Sequence, residues 1–413
     1  MEPQITFDRA LVAVQVDDVV HVMLELKAPP APANERRPLD IVMVLDRSGS
    51  MHGAPLESVK FATQQLLRRL GTDDRLAVVA FDDEVDVVLG LAHHDADRAC
   101  NVVAAIGAGG STNLSGGWLK AFEILRTGGR SGAFKRVVLL SDGQANEGIT
   151  DPDALAQLAA GANAEHVSTS TIGFGDGFDE TLMASIADAG AGNDYFCGGP
   201  DQALAVFAAE FEGLASIVAQ NVSVEVRPSD VVSDWGLLNE YPMVPVDGGV
   251  QVNLGDAYGD ERRKVIAALQ IKPQATAGPV QVGELVLRWA SVIGQVALHT
   301  VTIPLIIGVT DEPLDGVPLD PAVTEEVLVL RAATARREAD EELQRGDFDA
   351  AAALFEQAAD DLAACPAYAG DVDELRFDVV RLREGDTDEN MRKRNFAATR
   401  QSTKGRTSRF DGR

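Results

Sequence analysis

The feature that most constrains the fold is an alternation of buried strands and helical patterns across residues 39–217. The run 40–45 is almost continuously apolar, as a central strand of a parallel sheet should be, and a helical spacing of apolar residues follows it. The runs 136–141 and 166–173 have the same character. Strands that alternate with helices indicate a parallel sheet covered by helices. We therefore predict an α/β fold with a doubly wound, mostly parallel, Rossmann-like sheet in this region.

The segments on both sides of this block have a different pattern. Residues 5–28 and 218–309 show the apolar–polar alternation of half-buried strands, and the Pro-rich and charged residues 29–38 separate the first of them from the α/β block. A two-stranded hairpin alone is marginal in water, so the N-terminal strands need partners. We predict that the α/β domain is inserted in a β-sandwich, with two unconnected small sheets as the alternative.

An Ala-rich helical pattern returns at residues 320–384. It predicts a helical hairpin, similar to one tetratricopeptide-type unit, that packs either on its own sandwich or on a partner protein. The predicted organisation is therefore N-terminal sandwich strands at 1–35, the α/β domain at 36–217, the rest of the sandwich at 218–315, a helical segment at 316–390 and a basic tail at 391–413.

Composition excludes several classes of protein. The hydrophobic fraction of 46% and the charged fraction of 24% are ordinary for a globular chain. No apolar run reaches the roughly 18 residues of a membrane span, and the N-terminus lacks the pattern of a signal peptide. The three cysteines lie far apart, which fits reduced thiols better than a disulfide framework. We expect a soluble protein of the cytoplasm.

Charge is unevenly distributed along the chain. The formal net charge is −28, yet residues 391–413 hold eight Lys and Arg against one Asp, which leaves −35 on the rest. An acidic body repels phosphate backbones and favours cations, so we expect no nucleic acid at the main fold. The basic tail is either a solvated or self-docking arm, or a segment that binds nucleic acid or an anionic surface.

Polar residues follow the predicted strands at the edge where open α/β sheets bind ligands. Asp46, Ser48 and Ser50 follow the first strand, Asp142 follows the second, and Thr112 lies in a Gly-rich loop. Two carboxylates and three hydroxyls are hard oxygen donors, which suit Mg²⁺ or Mn²⁺, with Ca²⁺ as a further candidate, better than zinc or copper. The alternative is that both serines cap the following helix and that Asp46 is a turn residue.

This set resembles the metal-ion-dependent adhesion site of von Willebrand factor type A domains, whose pattern is D-x-S-x-S, then Thr, then Asp. The resemblance covers about residues 39–215. It implies that Asp46, Ser48 and Ser50 ligate the ion, that Thr112 joins when a ligand is engaged, and that Asp142 binds directly or through water. The flanking segments are similar to those of bacterial relatives of inter-alpha-trypsin inhibitor heavy chains.

The expected function follows from the charge of the ion's surroundings. Only two formal negative charges face a divalent ion, so an outside carboxylate can complete its shell. We predict a metal-dependent protein-binding module of the adhesion or scaffold type, not an enzyme, that docks an acidic side chain of a partner protein. Asp176 and Asp179, near the end of the third strand, would form a partner-binding rim.

Two other functions remain open at this point. The resemblance also allows a substrate adaptor or co-chaperone of an AAA+ ATPase, a role that intracellular relatives of the family play. A metal-dependent hydrolase is less favoured, because the five-residue set offers no spare His, Lys or Glu to act as an acid or base.

Overall fold

The computed structural model describes residues 1–32, 37–142, 145–174, 178–197, 206–207, 210–211, 213, 216–293, 296–384, 389–404 and 406–407. The chain divides into two compact units. The α/β unit is Ala31–Val218 with Val292–Gln295, and the β-rich unit is Met1–Pro30, Ala219–Ser291 and Val296–Arg413.

The chain begins with three strands of the β-rich unit, β1 (Glu2–Phe7), β2 (Leu11–Ala13) and β3 (Asp18–Lys27). The α/β unit follows with six strands, which are β4 (Leu39–Asp46), β5 (Arg75–Phe81), β6 (Val85–Ala92), β7 (Phe134–Ser141), β8 (Val167–Phe174) and β9 (Ala191–Cys197). Their order in the sheet is β6-β5-β4-β7-β8-β9. Only the β5–β6 pair among these is antiparallel, so the predicted mostly parallel sheet is confirmed.

Helices of the α/β unit connect these strands. They are α1 (Ala54–Arg69), α2 (Ala96–Ala104), α3 (Leu114–Gly128), α4 (Pro152–Ala164) and α5 (Glu180–Ala189). Four of them begin where a short polar side chain accepts a hydrogen bond from a first-turn amide, and these N-cap residues are Asp95, Asn113, Asp151 and Asp179. Every residue of β4 and of β8 is buried, as the continuous apolar run at 40–45 predicts for a central strand.

The β-rich unit continues after the α/β unit with seven strands. They are β10 (Ile217–Pro228), β11 (Val232–Leu237), β12 (Met243–Val246), β13 (Gly249–Tyr258), β14 (Arg262–Ile271), β15 (Gly278–Ser291) and β16 (Ala297–Thr310). One sheet has the order β1-β3-β14-β11, and the other has the order β12-β13-β10-β15-β16-β2. Strand β3 pairs antiparallel with β14 along its whole length, from Asp18 opposite Ile271 to Lys27 opposite Arg262. The N-terminal strands thus take their partners from beyond the α/β unit.

Four helices form the C-terminal part of the β-rich unit, namely α6 (Pro321–Arg345), α7 (Phe348–Ala363), α8 (Ala369–Arg383) and α9 (Glu389–Thr403). The first turns of α6 pack on the sheet, where Val323, Val327 and Leu330 share an apolar cluster with Met23 of β3 and Ile266 of β14. The helical segment therefore covers its own sheet. None of the described helices combines the length and apolarity that crossing a membrane requires.

The C-terminal region contains more structure than its sequence predicts. The expected hairpin is present as α6 and α7, but α8 and α9 follow it, and α9 continues past residue 391, where the basic tail was predicted to begin. Met391 is fully buried, Asn395 donates a 3.0 Å hydrogen bond to Asp378, and Arg392 forms a 2.8 Å ion pair with Asp340. A short strand, β17 (Arg406–Thr407), then pairs with β14. Part of the basic segment is thus packed against acidic residues of its own unit.

Candidate metal centre

The predicted site residues lie at the carboxyl ends of two adjacent central strands. Asp46 is the last residue of β4, and Asp142 directly follows β7. These strands are parallel neighbours in register, with Leu45 opposite Leu140, so their ends bring Asp46 beside Ser141. Ser48 and Ser50 lie in the turn between β4 and α1, and Thr112 lies just before α3. The sheet therefore brings both predicted carboxylates to one edge.

Asp46 forms the buried floor of the site. Its side chain has no solvent exposure, and one carboxylate oxygen accepts a 2.8 Å hydrogen bond from the backbone amide of Ser48. The other carboxylate oxygen accepts a 2.5 Å hydrogen bond from the hydroxyl of Ser141. These two bonds hold the carboxylate in one orientation.

The two serines and Asp142 form a linked chain of oxygen atoms. The hydroxyl oxygens of Ser48 and Ser50 are 3.2 Å apart, and the Ser50 hydroxyl donates a 2.8 Å hydrogen bond to Asp142. Ser48 is buried, whereas Ser50 is exposed and Asp142 is half-buried. The site thus runs from a buried carboxylate to an open mouth where a second carboxylate meets solvent.

The loop that carries Thr112 is joined to the turn that carries Ser48 and Ser50. The amide of Gly49 donates to the carbonyl of Gly110 at 3.1 Å, which joins the Thr112 loop to the serine turn. The backbone of Thr112 is fixed in turn by Asn146, whose side-chain oxygen accepts from the Thr112 amide at 2.8 Å. Gly110 has a φ of +68°, and a Cβ there would meet Asp83, so this position requires glycine.

Arg47 directs its charge away from the site. Its guanidinium forms two hydrogen bonds to Asp82, at 2.9 and 3.1 Å, and an ion pair of 2.8 Å with Asp86. The side-chain hydrogen bond to Asp82 is the main reason that the pKa of Arg47 lies above its usual value. The only cationic residue in the D-x-S-x-S turn is therefore neutralised by the β5–β6 hairpin.

Both carboxylates of the site are harder to ionise than usual. Burial raises the pKa of Asp46, against the hydrogen bonds from Ser141 and Ser48, which act in the opposite direction. Burial also raises the pKa of Asp142, and the nearby charge of Asp46 contributes in the same direction. The protein's own groups therefore leave two neighbouring negative charges only partly compensated, and a cation between them would remove that imbalance.

The donor chemistry fits a hard divalent cation. Within the part of the chain that the structure describes, no three His, Cys, Asp or Glu side chains form a group that could hold a metal ion. The site consists instead of two carboxylates and the hydroxyls around them, which is a ligand set for magnesium or manganese and not for zinc. The observed hydrogen bonds among Ser48, Ser50 and Asp142 show that these oxygens lie within reach of one another.

The helix-cap alternative for the serines is not what the structure shows. The N-cap of α1 is Gly53, and Ser48, which precedes a short 3₁₀ turn at Gly49–Met51, makes no side-chain capping bond. Asp46 does act as a turn residue through the Ser48 amide, but its second oxygen bonds Ser141 across the sheet.

Of the two residues predicted to form a partner-binding rim, the structure describes only Asp179. Asp176 lies outside the described residues. Asp179 is the N-cap of α5, where its carboxylate accepts a 2.9 Å hydrogen bond from the amide of Leu182. The structure thus gives Asp179 a helix-capping role, and its role as a rim residue stays a prediction.

Sequence reasoning missed three residues that support the site, Ser141, Asn146 and Asp82. Ser141 directly precedes Asp142, so its position at a strand end was the available signal. Asn146 and Asp82 act through loops that are distant in sequence from the residues they hold, and no local pattern marks them.

Comparison with known proteins shows what this chain is similar to. Residues 40–219 match the model of the von Willebrand factor type A domain family. The uncharacterized protein sll0103 of Synechocystis is 28% identical over 337 residues, which are 79% of each chain. Human inter-alpha-trypsin inhibitor heavy chain H6 is 25% identical over 188 residues, which are 43% of this chain but only 14% of that protein.

A solved structure extends the similarity beyond this domain. The von Willebrand factor type A protein from Catenulispora acidiphila has a TM-score of 0.74 and 19% sequence identity, and the match covers 98% of this chain and 96% of that one. At this identity the match shows a shared fold. Residues 40–219 of this chain thus match the von Willebrand factor type A domain family, and the solved structure shares their fold.

Proposed function

We propose that the chain is a divalent-metal-dependent protein-binding module whose partner docks an acidic side chain on the bound ion. Domains of this family are typically protein-interaction or adhesion modules. Two linked features carry the proposal. Buried Asp46 accepts a hydrogen bond from the Ser48 amide, and the hydroxyls of Ser48 and Ser50 connect to Asp142 at the exposed end of the site. A ligand entering at this mouth would meet the ion without displacing a side chain of the core.

Five residues would hold the ion: Asp46, Ser48, Ser50, Thr112 and Asp142. Mg²⁺ and Mn²⁺ fit this set best, and Ca²⁺ is a third candidate. When bound, the ion would supply an electron-poor centre. Its two carboxylate ligands carry no negative charge in excess of its own +2 charge, and the other three proposed donors are neutral hydroxyls. A carboxylate from outside is then a favourable further ligand.

The loops around the site are already ordered by their own hydrogen bonds. The Gly109 amide donates to the Arg47 carbonyl at 2.8 Å, and the Asn113 amide donates to the Asp82 carbonyl at 2.9 Å. Together with the bond from Gly49 to Gly110, these contacts connect the serine turn, the Thr112 loop and the β5–β6 turn. A partner therefore does not have to order these three described segments when it binds, which favours recognition.

Binding is favoured over catalysis by what surrounds the carboxylates. Their described hydrogen-bond partners are serine hydroxyls and backbone amides, and none of these is a His, Lys or Glu that could transfer a proton to a substrate. We therefore expect no turnover that depends on the ion.

The metal part of the proposal is tested first, with the ion alone. We expect isothermal titration to show one site for Mg²⁺ or Mn²⁺ in the full chain and none in Asp46→Asn, which keeps the shape of the side chain. At an ion concentration about 100 times the dissociation constant, binding should stabilise the protein by about 2.7 kcal/mol. This corresponds to a rise of about 5–10 °C in the melting temperature of a domain of this size.

A matched control separates this effect from general changes in charge. Asp97→Asn removes a carboxylate whose side chain is 89% exposed on α2, away from the strand ends. This variant should retain the full metal response. Equal metal binding by wild type and Asp46→Asn would refute the assignment of the site.

The partner part of the proposal is tested by capture experiments. A partner retained on the immobilised chain in Mg²⁺ should be released by EDTA and recovered when Mg²⁺ is restored. Thr112→Ala should weaken partner capture more than metal binding, whereas Thr112→Ser, which keeps the hydroxyl, should preserve both. Capture that survives EDTA, or turnover of a substrate that Asp46→Asn abolishes, would overturn the proposal.

A further inference from the structure

One side of β16 is open along most of the strand. On its inner side, β15 pairs with it from Ser291 opposite Ala297 to Gly278 opposite Val309. On its outer side, the described strands offer only β2, which pairs in parallel with Gly308–Thr310. The outer backbone of residues 297–307 therefore has no strand partner within the described part of the chain.

This open edge lacks the charged side chains that usually keep an edge strand from pairing with another strand. Exposed edges normally carry charged side chains that prevent association. In a chain that is 24% charged, the 22 residues 289–310 include no Asp, Glu, Lys or Arg. Leu298 is 86% exposed and Ile306 is 50% exposed, and all residues from Ala297 to Thr302 are exposed. The edge is thus neutral, partly apolar and accessible.

The direction of the free backbone groups follows from the contact with β2. The Gly308 amide donates to the Ala10 carbonyl and the Thr310 carbonyl accepts from the Val14 amide, each at 2.9 Å, so even-numbered residues of β16 face outward. Because backbone groups alternate in direction along a strand, the amides of Leu298, Thr300 and Thr302 also point to the open side.

Pro304 is also even-numbered, so its nitrogen faces the open side, but it has no amide proton. Proline is tolerated in a strand where its nitrogen faces an unpaired edge, so its position agrees with this assignment. Three consecutive outward donors therefore remain, with Thr300 at their centre.

The strand is held in shape before any partner arrives. The Trp289 ring of β15 stacks on the His299 ring of β16, with centroids 4.8 Å apart and an angle of 12° between the ring planes. These two residues are directly opposite in the β15–β16 ladder. The pair stiffens the exposed end of the hairpin, so a new strand would meet an ordered edge.

We propose that β16 pairs with β16 of a second copy of this chain, antiparallel and centred on Thr300. In this register Thr300 faces its own copy and Leu298 faces Thr302 of the other copy, so each outward donor meets an outward acceptor. The arrangement gives about six backbone hydrogen bonds and leaves Pro304 outside them. Two-fold pairing covers both open edges with a single symmetric interface.

The net charge of the chain favours a second copy as the partner of the open β16 edge. Two chains of net charge −28 repel each other, and they can pair most easily where neither carries a charge. The segment 289–310 has no charged residue, so the interface is neutral on both copies. A charged strand of another protein would find no group of opposite charge on this edge. Across the two-fold axis Thr300 faces Thr300, and Leu298 faces the threonine at position 302 of the other copy.

Disulfide trapping in the full chain tests the register directly. Facing residues in a hydrogen-bonded antiparallel pair have Cα atoms about 5.5 Å apart, which a disulfide can span. The native cysteines Cys100, Cys197 and Cys365 are buried, so they do not compete. With glutathione disulfide as oxidant, Thr300→Cys should give a covalent dimer of about twice 43.8 kDa on a non-reducing gel.

Two comparisons make this result specific. Leu298→Cys alone should crosslink poorly, but a mixture of Leu298→Cys and Thr302→Cys chains should crosslink well. Met243→Cys lies on β12, at the other end of the same sheet, and its residue is 52% exposed, so it is a matched edge control that should give no covalent dimer.

Sedimentation equilibrium measures the reversible association. Leu298→Lys should raise the dimer dissociation constant at least tenfold, since it places two positive charges in the interface, and Met243→Lys should leave that constant unchanged. Circular dichroism would check that both variants fold, and the crosslinking result stands independently of them. A wild-type chain that stays monomeric while Thr300→Cys fails to crosslink would overturn the proposal, as would equal effects of the two lysine variants.

Discussion

The ion-pair cluster at the start of β4 gives a quantitative prediction about the stability of the α/β unit. Asp40 is fully buried, and its carboxylate accepts hydrogen bonds from two guanidinium groups. Arg75 donates through Nε at 2.9 Å and through Nη2 at 2.6 Å. Arg130 donates through its backbone amide at 2.8 Å and through Nη2 at 2.6 Å. The variant Asp40→Asn keeps the shape but replaces an acceptor oxygen with an NH₂ group that faces donors.

The size of the effect follows from the exposure of the partners. Removing one member of a buried ion pair destabilises a protein by about 3–5 kcal/mol. The side chains of Arg75 and Arg130 are 23% and 36% exposed, so water can solvate both guanidinium groups after the carboxylate is lost. We therefore expect the lower end of the range, about 3 kcal/mol, which is a factor of about 150 in the unfolding equilibrium constant.

Native-state hydrogen exchange on the full chain measures this change where it occurs. Peptides from β4 and β5 should exchange about 100–200 times faster in Asp40→Asn than in wild type, whereas the strands of the β-rich unit should be unaffected. Asp97→Asn serves as the matched control. Its carboxylate is exposed and 3.6 Å from Arg68, so the change in its free energy of unfolding should stay within about 0.5 kcal/mol.

The pH dependence provides a second test of the same reasoning. Burial tends to raise the pKa of Asp40, but the hydrogen bonds from Arg75 and Arg130 outweigh it, so the folded-state pKa lies below its usual value. A lowered pKa means that the stabilisation is present above the unfolded-state pKa of about 3.9 and is lost as pH falls through the folded-state pKa. The difference in free energy of unfolding between wild type and Asp40→Asn should therefore be constant from about pH 5 to 8 and shrink in stronger acid. An increase in the exchange rate of less than tenfold would refute the argument, as would a stability difference that stays unchanged in acid.

Three further changes test the packing of the two units. Gly192→Ala would place a Cβ 2.0 Å from a backbone oxygen of β8 and should destabilise the α/β unit by about 1–3 kcal/mol in thermal denaturation; Gly161→Ala, with open space around it in α4, should be neutral or stabilising. Phe355→Ala, in the fully buried centre of the C-terminal helices, should lower the free energy of unfolding by about 3–5 kcal/mol. Phe377→Ala, whose side chain is 61% exposed, should lower it by less than about 0.5 kcal/mol. Deleting residues 1–28 removes β3 from its ladder with β14, so amides of β14 should lose hydrogen-exchange protection; unchanged protection would contradict the observed pairing.

The central sheet and the position of its site could be predicted from the sequence because both depend on local patterns. A fully buried strand needs a continuous apolar run, and residues 40–45 have one. In a parallel sheet the polar residues that follow such runs must meet at one edge, which is why Asp46 and Asp142 could be placed together before the structure was known. The domain boundaries proposed from composition stay a prediction.

Other contacts depend on residues that no local pattern connects. Asn146 holds the Thr112 loop through a bond between residues 34 positions apart, and the charge of Arg47 is removed by Asp82, which is 35 positions away. The basic C-terminal residues have a composition typical of a solvated arm, yet α9 docks through the buried Met391 and an ion pair with Asp340. Whether a polar helix docks depends on the surface that receives it, and that surface is assembled from distant parts of the chain.

The geometry of the site also explains why its carboxylates are expected to work together with a cation rather than with a proton donor. Asp46 cannot move away from Asp142, because its two oxygens are fixed by the Ser48 amide and by the Ser141 hydroxyl. The serine turn and the Thr112 loop are joined by backbone hydrogen bonds, and the charge of Asp46 opposes ionisation of Asp142. A divalent ion at the proposed site would offset this repulsion. Binding of the ion and stability of the α/β unit should therefore be coupled in the same direction, and a partner's carboxylate would reach an electrophilic centre in a frame that is already rigid.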